Sequence, residues 1–154
     1  MEVSLKKMRW LLFLLGCFKI PMIGFTRPRL LAIDDDLVRV RIKLRRRTKN
    51  HLNSMYFGAL SVGADIAGGI QVFYFSKKMD RQVSFAFKGM NAQFLKRAES
   101  HIVFESNEGQ KIKAAMEKSL KEGSRVNDSI MVEAKNDAGE IVAAFEMIVS
   151  VRVS

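Results

Sequence analysis

Apolar and polar positions along the chain follow two periods, and the switches between them lay out the elements. Leu5 to Phe18 carries apolar residues at helical spacing behind Lys6, Lys7 and Arg9. It predicts a short amphipathic helix, closed by Pro21 and Gly24, laid on the domain or on a partner. Within Arg29 to Arg47 the period becomes two: Leu37-Val38-Arg39-Val40-Arg41-Ile42-Lys43-Leu44-Arg45 alternates apolar and cationic residues, a strand with one buried face. Its outward row, Arg39, Arg41, Lys43 and Arg45, reads as a solvated face or as a guarded sheet edge that blocks strand addition. Asp34-Asp35-Asp36, just before, lacks the spacing and glycine of a calcium loop and predicts a tight turn between strands.

Beyond the polar turn Asn50 to Ser54, the residues from Tyr56 to Ile70 are apolar on nearly all sides of a helix, which predicts a buried one. Asn53 or Ser54 would be its N-cap. Gly58, Gly63, Gly68 and Gly69 each cost about 1 kcal/mol of helix propensity relative to Ala. That cost is accepted where something approaches closely, either a sheet wrapped around the helix or the same helix of a second subunit. Gln82 to Lys96 alternates around Val83, Phe85 and Phe87 and breaks at Gly89, where a bulge or bend is expected. Ser100 to Ser106 makes a short strand. Asn107 and Gln110 form a capping-box pattern for a helix running to Gly123, with Ile112, Ala115, Met116 and Leu120 as its packing stripe. Ser129 to Lys135 and Glu140 to Val153 flank the turn Asn136 to Gly139 as an antiparallel pair. The class is α+β: helix, two strands, buried helix, two strands, helix, two strands. Residues 1–24 form an N-terminal helix and connector, and 25–154 a single domain.

Composition narrows the chemistry. At 154 residues, 48% hydrophobic and 27% charged with two prolines, the chain belongs with globular domains and not with disordered or repetitive ones. One cysteine, Cys17, excludes an intrachain disulfide, fits a reducing cytoplasm, and with two histidines cannot build a Cys/His zinc site. No G-x-S-x-G occurs, so no serine hydrolase is indicated and chemistry rests on carboxylates and amides. The run Trp10 to Phe18 behind three cations imitates a secretory signal, but Lys19 and Pro21 interrupt it short of the ~18 residues of a span. No stable membrane insertion is expected. The formal charge of +10 invites a nucleic-acid reading, yet the basic strand lacks the interleaved aromatics of single-strand binders.

Asp65 stands out as the only ionisable residue of the apolar helix before its end. A carboxylate there must find hydrogen bonds, for which Ser61 one turn earlier is a candidate, or open onto a cavity, or shift its pKa upward. It serves either as a solvent-facing residue in a gap between strands or as a base or nucleophile in a dry pocket.

The order of elements resembles the hotdog fold, a curved antiparallel sheet wrapped around a long helix. Asn50-His51-Leu52-Asn53-Ser54-Met55-Tyr56-Phe57-Gly58, with Asp65 beyond, is similar to the Asn-x-x-Gly-Thr-x-His-Gly-Gly…Asp signature of hotdog acyl-CoA thioesterases of the phenylacetyl-CoA thioesterase type. Asn50, Gly58 and Asp65 match in type and spacing; Asn53, Tyr56 and Phe57 depart from it. Phe94-Leu95-Lys96-Arg97-Ala98 resembles the family's Phe-Leu-Arg-Pro-Ala, and the extended N-terminus is similar to an uncharacterised branch of the superfamily. The resemblance implies an acyl-CoA thioesterase with no cofactor beyond the coenzyme A thioester that is its substrate. The Phe57 backbone N–H, beside Gly58, would hold the thioester carbonyl, and Asn50 would orient that carbonyl or the attacking water. Asp65 would act as base or nucleophile. Tyr56, Leu60, Ser61, Phe85 and Phe87 would line the acyl site, and Lys77, Lys78, Arg81, Lys96 or Arg97 would meet the coenzyme phosphates.

Asp65 follows Phe57 by eight residues, about 12 Å along a helix, too far for one chain to bring both to one carbonyl. The expectation is a homodimer with shared sites, a dimer of dimers being left open. Two other classes compete: a non-catalytic hotdog protein that binds acyl-CoA or lipid, and a nucleic-acid-binding regulator resting on the basic strand alone.

Overall fold

The computed structural model describes residues 2–154. Its elements are α1 (Leu5–Leu14), a π-helical turn (Leu15–Lys19), α2 (Pro21–Thr26), β1 (Arg29–Ile33), β2 (Val38–Ile42), α3 (Phe57–Met79), β3 (Val83–Phe94), β4 (Ile102–Ser106), α4 (Gly109–Glu122), β5 (Val126–Lys135) and β6 (Ile141–Val153). The six strands form one antiparallel sheet in the order β1-β2-β4-β5-β6-β3, and α3 lies across its concave face. This is the hotdog architecture the sequence pattern resembles.

The all-round apolar character of α3 follows from its setting. One side meets β2, β4, β5 and β6, and the N-terminal helices cover part of the other. Gly63, Gly68 and Gly69 admit side chains of the sheet, the first of the two expectations, whereas Gly58 is met by the ring of Tyr56. A Cβ at Gly63 would overlap the ring of Phe104, which has no exposed surface, and Gly69 receives the Phe85 and Phe87 rings. Gly89 coincides with a register shift in the β3–β6 pairing between Phe87 and Gly89, the bend predicted there.

Several local expectations are corrected. Pro21 does not close the first helix. The chain passes through the π-helical turn, with Ile20 N–H donating to Leu15 O at 2.7 Å, and Pro21 opens α2, where its missing N–H costs nothing. A Cβ on Gly16 would fall 2.8 Å from Gly24 Cα, so the two segments fold back with their backbones in contact. Asn53 and Ser54 do not cap α3; they belong to the preceding loop. There Asn50 Oδ1 accepts from the N–H of Leu52 and Ser54 and from the Ser54 hydroxyl, and Asn53 is left-handed at φ 59°. Left-handed backbone favours Gly and tolerates Asn, which accounts for Asn at a position where the thioesterase signature has Gly.

The basic strand is shorter than its pattern and is no edge. β2 ends at Ile42 because Thr48 Oγ1 accepts the Arg45 N–H and donates to Lys43 O, turning the chain. It sits between β1 and β4, so its cations guard nothing; Arg39 pairs with Glu105 at 2.9 Å. The capping box of α4 does not form either. Asn107 donates to Glu105 and Gln110 to Asp36, and the helix starts at Gly109. Its buried stripe turns toward Ser119, leaving Leu120 exposed.

The acidic turn Asp34 to Asp36 joins β1 to β2 as predicted and ties them to both long helices. Gln71 donates to Asp34 O at 2.9 Å, Gly109 N–H to Asp36 O at 3.2 Å, and Tyr74 and Lys78 to Asp35 Oδ1 at 2.8 and 2.6 Å. The Lys78 hydrogen bond, then that of Tyr74, holds the Asp35 carboxyl below its ordinary value. A lowered pKa stabilises the fold above the ordinary carboxylate range, and that stabilisation disappears as pH falls through the folded-state value. Because the pair is substantially solvated, Asp35→Asn is expected to cost no more than about 1 kcal/mol at neutral pH. Urea denaturation of both proteins should show that difference shrinking as the buffer is acidified.

Candidate functional site

Two grooves meet at Asp65. The first, about 610 Å³, runs between α2 and the opening turns of α3 and is lined by Met22, Phe25, Arg47, Tyr56, Gly58, Ser61 and Asp65 among others. The second, about 250 Å³, lies between the N-terminal helices, α3 and β3, with Ile66, Phe73, Phe85, Phe87 and again Asp65 in its wall. Ile20 and Ile23 line both. The carboxyl therefore stands on the seam of two largely apolar spaces. Among the described residues no hydrogen bond or neighbouring cation stabilises its charge, and burial alone pushes its pKa above the ordinary value. Ser61, the suggested partner, is committed elsewhere: its hydroxyl donates to Phe57 O at 2.9 Å. That bond is the usual fate of a helical Ser whose acceptor lies one turn back.

The start of α3 supplies the complementary chemistry. Tyr56 is the residue before its first turn, and no side chain caps it. The N–H groups of that turn, Phe57 and Gly58 among them, have no carbonyl four residues back in the helix, and the helix dipole adds partial positive charge there. A carbonyl oxygen gaining negative charge is stabilised at such a place. The Tyr56 ring lies against Gly58 so closely that a Cβ there would overlap it. It also packs on Phe57, with ring centres 4.8 Å apart; Phe57 meets Phe94 at 6.1 Å, and Phe94 meets buried Phe145 at 6.0 Å. This aromatic chain anchors the entry of α3 to the sheet.

Within one chain the predicted site is only partly assembled. Tyr56, Gly58, Ser61 and Asp65 share the first groove, and Phe85 and Phe87 share the second with Asp65. Leu60 is buried in the core. Asn50 lines neither groove, its amide oxygen being held within its own loop. The cations proposed for coenzyme phosphates are dispersed. Lys96 pairs with Glu140, Lys78 with Asp35, and Lys77 and Arg81 line a separate groove at the far end of α3. Arg97 is exposed and lines neither groove. The cation that does reach the Asp65 groove, Arg47, was missed. So were Ile20, Met22, Ile23 and Phe25, from a segment whose pattern predicts little beyond a helix and connector. The available signal was an N-terminal run more apolar than one buried stripe requires.

With this geometry in view, the family described as Domain of unknown function (DUF4442) matches residues 8–151. The chain belongs to that family. The match begins inside α1, so the N-terminal helices lie within the family's extent. Solved structures share the fold over nine tenths or more of their length. A protein of unknown function and probable thioesterase from Pseudomonas aeruginosa is 24% identical, with a TM-score of 0.81 over 100% of this chain and 99% of that one. Thioesterase superfamily member 2 from zebra fish is 11% identical, with a TM-score of 0.72 over 97% and 99%. A thioesterase from Haemophilus influenzae is 12% identical, with a TM-score of 0.68 over 98% and 92%. No curated protein matches the sequence significantly. Among the described residues, no helix is long and apolar enough to cross a membrane.

Proposed function

We propose that this member of the family hydrolyses an acyl thioester, with a coenzyme A thioester as substrate. The single observation that carries the reading is Asp65: a half-buried carboxyl with no partner among the described residues, on the seam of two apolar grooves, one of which also reaches the uncapped start of α3. A carboxyl raised toward neutral pH is better matched to proton transfer than an ordinary one. In the proposed reaction Asp65 takes a proton from water as the oxygen attacks the carbonyl carbon. The developing oxyanion is held by the N–H groups of Phe57 and Gly58. The carbon–sulfur bond then breaks, and the sulfur leaves as a thiol carrying that proton. Direct attack by the carboxylate, giving an anhydride that water opens, uses the same groups.

The ~12 Å separating Phe57 from Asp65 along α3 supports a site shared between two copies. β3, a twelve-residue strand at the end of the sheet, offers an open row of backbone groups on which a second copy can pair, beside Phe85 and Phe87 of the groove wall. A second reading, binding of an acyl-CoA or lipid without turnover, is favoured by one observation: the Tyr56 ring covers the helix start where the thioesterase signature has a smaller pair. A panel of acyl-CoA thioesters of increasing chain length, assayed by release of free thiol, separates the two. Turnover supports hydrolysis, whereas saturable binding with no thiol released supports the second reading.

A further inference from the structure

The N-terminal helices carry a surface that neither the fold nor the proposed reaction uses. Trp10, Phe13 and Phe18 are 61, 56 and 76% exposed, and Trp10 stacks on Phe13 with ring centres 5.4 Å apart. Monomeric proteins rarely present aromatic clusters of this kind without a partner. Around them lie cations. Lys6 and Arg9 border the Trp10–Phe13 pair, and a groove of about 560 Å³ beside Phe13 is lined by Arg9, Arg27, Arg29 and Arg47 with no carboxylate in its wall. None of these four arginines makes an ion pair among the described residues. Arg9 Nε is fixed by Leu30 O at 2.8 Å, and Arg47 lies 5.0 Å over the Phe25 ring, so two of the guanidinium groups are held in place. Over residues 1–33 the sequence has six cations and one carboxylate, Glu2.

We propose that this face docks on the surface of an anionic phospholipid bilayer, with Trp10 and Phe13 entering the headgroup boundary and the arginine groove receiving lipid phosphates. Outward aromatics flanked by Lys and Arg on an amphipathic helix are the physical requirements for lying in that interface, and none of these helices is long enough to span. The charge decides between a bilayer and a second copy of the chain. A two-fold contact with its axis through this patch would bring cations to cations with almost no carboxylate between them, whereas anionic headgroups complement it. The proposal stands whether or not Asp65 turns over a thioester. If it does, Arg47, which lines both the arginine groove and the Asp65 groove, sets the docking face beside the site, an arrangement suited to amphiphilic acyl substrates.

Trp10 is the sole tryptophan, so its emission reports on this face alone. The full chain is mixed with phosphatidylcholine vesicles and with vesicles containing one third phosphatidylglycerol, followed by Trp10 emission and by cosedimentation. The expected result is a blue shift and cosedimentation with the anionic vesicles only, reversed by added salt. Arg27→Gln/Arg29→Gln should weaken that binding roughly thirtyfold, from about 1 kcal/mol per cation near the surface. Phe13→Ser should weaken it with circular dichroism unchanged. Failure to bind anionic vesicles at low salt overturns the proposal, and so does equal binding to neutral ones. Emission that is already blue without lipid and moves red on dilution overturns it as well, assigning the face to self-association.

Discussion

Asp65→Asn is expected to lower thiol release from acyl-CoA by about 10²- to 10⁴-fold, the usual contribution of a positioned base, and to raise the midpoint of thermal unfolding at neutral pH. Both effects come from the same burial. The Asp65 pKa is raised in the folded chain, so the folded state holds that proton more tightly than the unfolded one. Stability then falls as pH rises from the ordinary carboxyl value of 3.8 through the raised one, and the full penalty is present above it. Asn removes the penalty, so the gain in midpoint should be present at pH 7 and absent below the ordinary value. Calorimetry across that range, beside the thiol assay, reads both. A variant that turns over normally would sink the catalytic assignment. A variant that loses midpoint at neutral pH would instead show the carboxylate hydrogen-bonded, as across an interface with a second copy.

The second large effect concerns the contact that seats α3 on the sheet. Phe104 has no exposed surface, and its ring fills the space that the missing side chain of Gly63 leaves. Phe104→Ala should cost about 3–5 kcal/mol, and Gly63→Ala about 1–3 kcal/mol through overpacking against a ring with no room to retreat. For a chain of this size each kcal/mol lowers the midpoint by about 2–4 °C. The two changes share one volume. Gly63→Ala combined with Phe104→Leu should therefore cost less than the sum of the single changes, by about 0.5–3 kcal/mol. Strict additivity in urea titrations would show that the glycine is not there for the ring. Gly63 lies one turn of α3 after Leu60 and two residues before Asp65, so displacement of the helix at this point also moves the candidate site.

Period and turn chemistry placed most elements within a few residues. α3 was legible because a helix apolar on every side has nowhere to go except inside a sheet, and the Gly89 bend because a strand glycine has little other use. The misplaced boundaries share a cause: short polar side chains with two options took bonds other than the cap or ladder that the pattern predicts, most of them within a few residues. Asn50 and Ser54 bond within their loop and leave α3 uncapped; Asn107 and Gln110 reach Glu105 and Asp36 and leave the capping box unmade. Thr48 cuts a strand that alternation alone would carry to Arg45.

For the candidate site the division is similar. By itself the sequence determined that a single carboxylate would lie in an apolar helix, eight residues from its start and with aromatic strands to follow, because covalent order and helical rise fix those relations. Only the tertiary structure decided what surrounds it. The Gly16–Gly24 backbone contact folds α2 back over α3, bringing Met22 and Phe25 to Asp65, Arg47 reaches the same groove from the loop after β2, and the ion pairs of Lys78 and Lys96 take those cations away. Such pairings depend on which surfaces meet across the fold, and spacing along the chain carries no record of them.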